Sequence, residues 1–179
     1  STYGLTALGF TIIYNTTGII NFAQGEFVML GGMFSVFFLK ILGLPLLPAI
    51  LLAVLATTIV GAVIELAFIW PAKNADVIRL IIITIGVSIL VRGVAMLVWG
   101  KDTHSLPPFT GNTPIHVFGA TLMPQSIWVL GVTLLVLAVL RGVFAKTMFG
   151  KSMLACSHDR KAARLMGISV ERMVLYSFM

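Results

Sequence analysis

Four stretches of this chain, 23–42, 46–69, 78–99 and 124–144, each run about 20 residues with almost no charge, the length a helix needs to cross hydrocarbon. No water reaches backbone N–H and C=O groups in that medium. Each run must therefore close its own hydrogen bonds, and the α-helix is the form that does so within one segment. Composition agrees. Of 179 residues, 59% are hydrophobic and only 10% charged, against about 25% charged in a soluble domain. So few charges could not cover the outside of a water-soluble fold. The expected fold is all-α: a polytopic transmembrane helix bundle, one domain over residues 1–179.

Five to six spans are expected, in whole or in part. Residues 1–14 (Tyr3, Leu5, Leu8, Phe10) begin already apolar, and 173–179 (Met173, Val174, Leu175, Tyr176, Phe178) end in the same way. Both read as partial spans of a longer permease-sized chain. The breaks carry turn-forming residues: Gly43 and Pro45 after the second run, Pro71 and Lys73 after the third, and a loop over 100–123 with Lys101, Asp102, Pro107, Pro108, Gly111, Asn112 and Pro114. Trp70, Trp99 and Trp128 fall near span ends, where indoles favour the interface.

The net charge is +6, from 12 Lys+Arg against 6 Asp+Glu. The basic residues concentrate in 141–172 (Arg141, Lys146, Lys151, Arg160, Lys161, Arg164, Arg172). This bias reads as membrane topology and not as nucleic-acid binding: the segment is expected in the cytoplasm and 100–123 outside. The segment 15–22 is either an inner loop or a break within the membrane. The lone Cys156 excludes an internal disulfide.

The first motif is Thr16-Thr17-Gly18-Ile19-Ile20-Asn21-Phe22-Ala23-Gln24-Gly25-Glu26, between two apolar runs. Thr17, Asn21 and Gln24 are polar and uncharged. Gly18 and Gly25 permit tight turns or close helix contact. Asn21 is placed to cap the next helix, and Glu26 falls in its first turn, at the positive end of the helix dipole. Two readings stand: an ordinary capped interfacial turn, or the unwound backbone from which transporters build a path for polar solutes.

Two charges lie within apolar runs, Glu65 near the inner end of 46–69 and Arg92 inside 78–99. Such residues face protein or water, or snorkel to the interface, as Arg92 could past Trp99. Straight helices would separate the two by roughly 14 Å in depth, too far for a direct pair.

The basic segment contains a third motif. Asp159 is a good N-cap, 160–166 favour helix, and Gly167 can end it. Ala162, Leu165 and Met166 share a face of this short helix, while Arg160, Lys161 and Arg164 serve the rest. It suits either a groove on another protein or anionic headgroups. Catalytic constellations are not visible. His104, His116 and His158 lack a metal-ligand spacing, and there is no P-loop, GxSxG or HExxH.

Together these features make the chain resemble, over nearly its whole length, the LivH-type permeases of bacterial branched-chain amino acid ABC importers. The run Thr17-Gly18-Ile19-Ile20-Asn21-Phe22-Ala23-Gln24-Gly25-Glu26-Phe27, followed by Met29-Leu30-Gly31, is similar to that family's signature. Gly150, Ala155, Asp159, Ala163, Leu165, Gly167 and Ile168 are likewise in place, and 161–167 echo the importer loop pattern Glu-Ala-Ala-x-x-x-Gly with Lys161 at the Glu position.

The resemblance implies a non-enzymatic transport subunit of the bacterial inner membrane. Thr17, Asn21, Gln24, Gly25 and Glu26 would line the amino-acid path. A cytoplasmic coupling loop over 145–172 would contact ATPase subunits through Gly150, Asp159, Ala162, Ala163, Leu165, Gly167 and Ile168. ATP would be bound by those partners, with no cofactor or metal in this chain. A second permease subunit, a periplasmic solute-binding protein and lipid complete the expected partners. One departure stands out: the family's Glu-Arg-x-x-x-Arg-Pro is here Glu65-Leu66-Ala67-Phe68-Ile69-Trp70-Pro71, without either arginine. Related permeases carry urea or short amides. A stand-alone ion-coupled transporter or channel using Glu26, Glu65 or Arg92 is the rival class.

Overall fold

A computed structural model describes residues 2–72, 75–102, 105–106, 115–117 and 120–179. Lys73, His104 and the Pro107, Pro108, Gly111, Asn112 and Pro114 of the 100–123 loop lie outside the described residues. The described chain is helical almost throughout: α1 (Thr2–Thr17), α2 (Gln24–Lys40), α3 (Leu46–Ile64) continued by a π-turn (Glu65–Ile69), α4 (Val77–Trp99), α5 (Pro124–Lys146), α6 (Met148–His158), α7 (Arg160–Leu165) and α8 (Val170–Phe178). Within the 100–123 loop, β1 (Ile115–Val117) and β2 (Ala120–Leu122) form a short antiparallel hairpin with Ile115 opposite Leu122. The expected all-α bundle therefore carries one small β addition.

Among the described residues, three helices are long and apolar enough to cross a membrane: Leu46–Ile69, Val77–Trp99 and Pro124–Lys146. These are the runs expected at 46–69, 78–99 and 124–144. The fourth, expected at 23–42, is the 17-residue α2, flanked by Glu26 and Lys40. Outward faces of the spans are apolar and bare, as on α3 with Leu51, Leu55, Ile59 and Val63. That pattern fits a hydrocarbon surround.

Little hydrophobic force drives helices together in lipid, so close packing must come from small side chains. Ala49, Ala53, Thr57 and Gly61 recur every four residues on α3, and α3 packs most extensively against α2. Ala49 and Ala53 are essentially fully buried. A methyl group on Gly61 would meet the Phe178 carbonyl oxygen of α8. Hydroxyls inside the helices bond back one turn: Thr57 Oγ1 donates to the Ala53 carbonyl (2.8 Å) and Ser35 Oγ to that of Gly31 (2.7 Å). This satisfies groups that lipid could not.

The basic segment is more ordered than a loop with one short helix. Thr147 caps α6 by accepting from Gly150 N at 3.0 Å. Asp159 caps α7 by accepting from the amides of Lys161 (2.7 Å) and Ala162 (3.1 Å). Gly167, at φ +81°, ends α7 in the left-handed conformation that glycine adopts without strain. Ile168 N then donates to the Ala163 carbonyl. Cys156, Ala163 and Val170 form a small core beneath these helices. Burial pushes the Cys156 thiol up, against a smaller opposing pull from Arg160. Cys156 is a buried packing residue of this small core.

Candidate functional site: a polar break inside the helix bundle

The connection between α1 and α2 is a break within the bundle and not an interfacial loop. Gly18, at φ +65°, turns the chain at the end of α1. Thr17 seals that end: its hydroxyl donates to the Ile13 carbonyl (2.6 Å) and accepts from Ile19 N (3.2 Å). On the far side, Phe22 N donates to Thr84 Oγ1 at 3.4 Å, and that hydroxyl itself donates to the Ile81 carbonyl at 2.8 Å. Thr84 stands about 10 Å along α4 from Val77, at 1.5 Å per residue. Ala23 packs with Ile64 of α3 and Val87 of α4. The break therefore lies at the depth of spanning helices, and α1 continues to residue 17 instead of ending near 14.

Asn21 does not cap α2. The cap position is Ala23, which has no side-chain cap. Asn21 Oδ1 instead accepts from Ala23 N at 3.0 Å, an Asx turn that shapes the break. Asn21 is 3% exposed, and its Nδ2 has no hydrogen-bond partner. Gln24 Oε1 is also buried without one. Gln24 lines a cavity of about 320 Å³ together with Gly9, Ile13, Phe27, Thr57 and Phe178. Gly9 makes room there: a methyl group on it would lie 2.6 Å from Gln24 Nε2. Gly25 has open space where a side chain would stand, so it serves neither a turn nor a close contact.

Glu26 is buried in the first turn of α2. One carboxylate oxygen accepts from Ser88 Oγ (2.9 Å) and from Arg92 Nη2 (2.5 Å). The Arg92 side chain is 60% exposed and the Glu26 side chain 7%. Arg92 thus answers a carboxylate within the bundle and does not simply snorkel past Trp99. This pairing was not foreseen, although a signal for it exists in the chain. Thr84, Ser88 and Arg92, spaced four apart, place one polar stripe on α4. All three meet the α1–α2 break or the first turn of α2.

The residues expected at the coupling loop separate into two groups. Gly150, Ala163 and Ile168 turn inward. A methyl group on Gly150 would lie 2.5 Å from the Phe144 Cα, so α6 meets the end of α5 at backbone distance. Ala162, Leu165 and Met166 are exposed, Leu165 and Met166 at 89% and 82%. Asp159 and Gly167 shape α7 from its two ends.

A bundle of apolar helices enclosing a polar break defines a membrane protein with polar groups at membrane depth. A family model described as "Branched-chain amino acid transport system / permease component" matches residues 1–179, and the chain belongs to that family. It is 30% identical over 192 residues to the high-affinity branched-chain amino acid transport permease LivH of Salmonella typhimurium, covering 99% of this chain and 62% of that protein. BraD of Pseudomonas aeruginosa, named likewise, is 30% identical over 193 residues with the same coverage. A probable LivH of Methanocaldococcus jannaschii is 31% identical over 186 residues, covering 97% of this chain and 56% of its own length. The chain thus spans about three-fifths of the length of the curated relatives it matches. No solved structure matches it.

Proposed function

We propose that this chain is a membrane-spanning, non-catalytic subunit of an ABC importer that moves branched-chain or closely related amino acids across the bacterial inner membrane. The observation that carries this reading is the buried polar break at Thr17–Glu26, with unpartnered polar atoms on Asn21 and Gln24. Burying such atoms without partners is unfavourable, so their retention favours a passing ligand that supplies the partners. An amino acid has complementary chemistry. Its ammonium donates to an amide oxygen such as that of Gln24, and its branched side chain suits Ile13, Phe27 and Phe178, which line the cavity beside Gln24; the Asn21 amide, which can bond a carboxylate, lies in the adjoining break. The larger crevice of about 530 Å³ between α2, α3 and α4 is lined wholly by apolar residues and suits hydrocarbon instead.

ATP is hydrolysed by partner subunits, which dock through the exposed tip of α7. Capped at both ends and bearing Leu165 and Met166, that tip supports a docking role. A second permease subunit completes the path, and a periplasmic binding protein delivers the solute. The basic segment 141–172 faces the cytoplasm.

The test is purification of the full-length protein from mild detergent, followed by uptake assays in vesicles. Co-purification of a P-loop ATPase with ATP-dependent leucine uptake is the expected result. A protein that purifies alone and takes up solute in an ionophore-sensitive, ATP-independent way overturns the reading.

A further inference from the structure

Arg92 stands on a spanning helix, and the solute contacts at the α1–α2 break make no use of it. A cation at that depth is costly unless it faces protein, water or a ligand. Glu26 answers it through a single atom pair: Arg92 Nη2 donates to Glu26 Oε1, the oxygen that also accepts from Ser88 Oγ. A guanidinium is a planar fork of several N–H donors. Among the described residues no other hydrogen bond takes the rest of the fork, and more than half of the side chain is exposed. The ion pair therefore pins the guanidinium by one nitrogen and leaves its other donors available.

Arg92 also lines a cavity of about 370 Å³ together with Met29 and Met33 of α2 and Ala95 and Met96 of α4. Met29 and Met33 lie one turn apart, as do Arg92 and Met96, so one face of each helix borders the space. Unbranched thioether side chains make a wall that reshapes itself round apolar groups of different outline. Gly100, Lys101 and Asp102 close the list of walls at the end of α4. Lys101 and Asp102 are both exposed. Two charges of opposite sign at this end mark a mouth that opens to water and not to hydrocarbon. The apolar crevice between α2, α3 and α4 has no charged group in its wall.

We propose that this cavity is a second amino-acid site, in which Arg92 takes the carboxylate of the solute and Met29, Met33 and Met96 take its apolar side chain. The inference rests on the importer reading and adds a station to the path. Arg92 lies two turns, roughly 12 Å, along α4 from Thr84, the residue that bonds the break. A carboxylate is planar and matches a guanidinium with two parallel N–H···O bonds, a fit that a lysine ammonium lacks. Glu26 is a positioning residue in this scheme. It holds the plane of the guanidinium, and Ser88 holds the Glu26 oxygen. Glu26 also balances the charge of Arg92, so a zwitterion binds without adding net charge to the bundle.

The experiment uses the full-length protein with its co-purified ATPase. Wild-type, ATP-driven leucine uptake in proteoliposomes with the binding protein comes first; without it the importer reading fails before the site is tested. Given that uptake, Met96→Cys is introduced and the assembly is treated in mild detergent, without the binding protein, with a water-soluble thiosulfonate. Modification of residue 96 is timed by mass spectrometry of its peptide. Leucine is expected to slow the modification, whereas leucinamide, which keeps the ammonium and the side chain but lacks the carboxylate, is expected not to. Arg92→Gln should abolish the protection. Arg92→Lys should raise the half-protecting leucine concentration about tenfold, the scale of one lost charged hydrogen bond. A merely structural Arg92 would alter the yield of assembly but not the difference between leucine and leucinamide. No modification at residue 96, equal protection by leucinamide, or protection that survives Arg92→Gln each overturns the site. Modification that leucine does not slow overturns it too and leaves Arg92 to a lipid phosphate. If Arg92→Gln does not assemble, Arg92→Lys decides by the same concentration, and Met33→Cys on the facing wall replaces Met96→Cys in the same way.

Discussion

The α1–α2 break and the α6–α7 segment are built from similar residues and reach opposite outcomes. Both interrupt helices with glycine at positive φ, Gly18 and Gly167, and both place a short polar side chain next to backbone amides. In the α6–α7 segment every cap is made: Thr147 serves Gly150, and Asp159 serves Lys161 and Ala162. In the break, Asn21 satisfies one amide while its own Nδ2 is buried without a partner, and Gln24 Oε1 is in the same condition. A segment in contact with water has no reason to leave groups unsatisfied, and its satisfied caps make it a stiff connector. The break, among the spanning helices, retains such groups at Asn21 and Gln24.

The largest effect expected from testing that contrast is at Gly150. Gly150→Val forces a side chain into the backbone of Phe144 and should cost ~3 kcal/mol or more, separating α6 from α5. Loss of the folded protein from detergent, read by fluorescence-detected chromatography, checks it. A well-folded variant would show that α6 is not anchored where it meets α5.

Gln24→Leu sharpens the other side. It removes an unpartnered buried oxygen, so thermal stability should hold or rise by ~1 kcal/mol. Leucine uptake should nevertheless fall about tenfold, as expected when a solute contact is lost. A variant that loses stability and uptake together would make Gln24 structural.

Asp159→Ala removes both hydrogen bonds that start α7. The expected loss is ~1 kcal/mol, typical of an N-cap, seen as a modest drop in melting temperature. Leu165→Asp should change stability least, by ~0.5 kcal/mol or less, since the side chain is 89% exposed. It should still reduce the ATPase retained on purification. Undiminished retention would remove the docking role from the tip of α7. A stability loss as large as that of Asp159→Ala would place Leu165 in the packing of the segment instead.

Much of this was legible in the order of residues. The apolar runs of 46–69, 78–99 and 124–144 gave helices to within a few residues, and Asp159 and Gly167 marked the ends of α7. The stripe Ala49-Ala53-Thr57-Gly61 was not singled out in the sequence and stands out as a packing seam in the fold. Asn21 was misleading because its side chain can serve either an N-cap or an Asx turn, and only the path of the chain chooses between them. The signature at 17–27 located the candidate site but not its depth.

The division has a physical cause. Lipid offers backbone groups no partners, so a long apolar run has one way to satisfy itself, and that requirement is local and written in the sequence. The pairing of Glu26 with Arg92, 66 residues apart, is not local. It depends on how far α2 is set along α4. That offset follows from where Gly18 breaks the chain and from how closely the small residues of α3 allow α2 to approach. The tertiary structure alone decided it, and with it which polar groups at membrane depth are joined and which are left open.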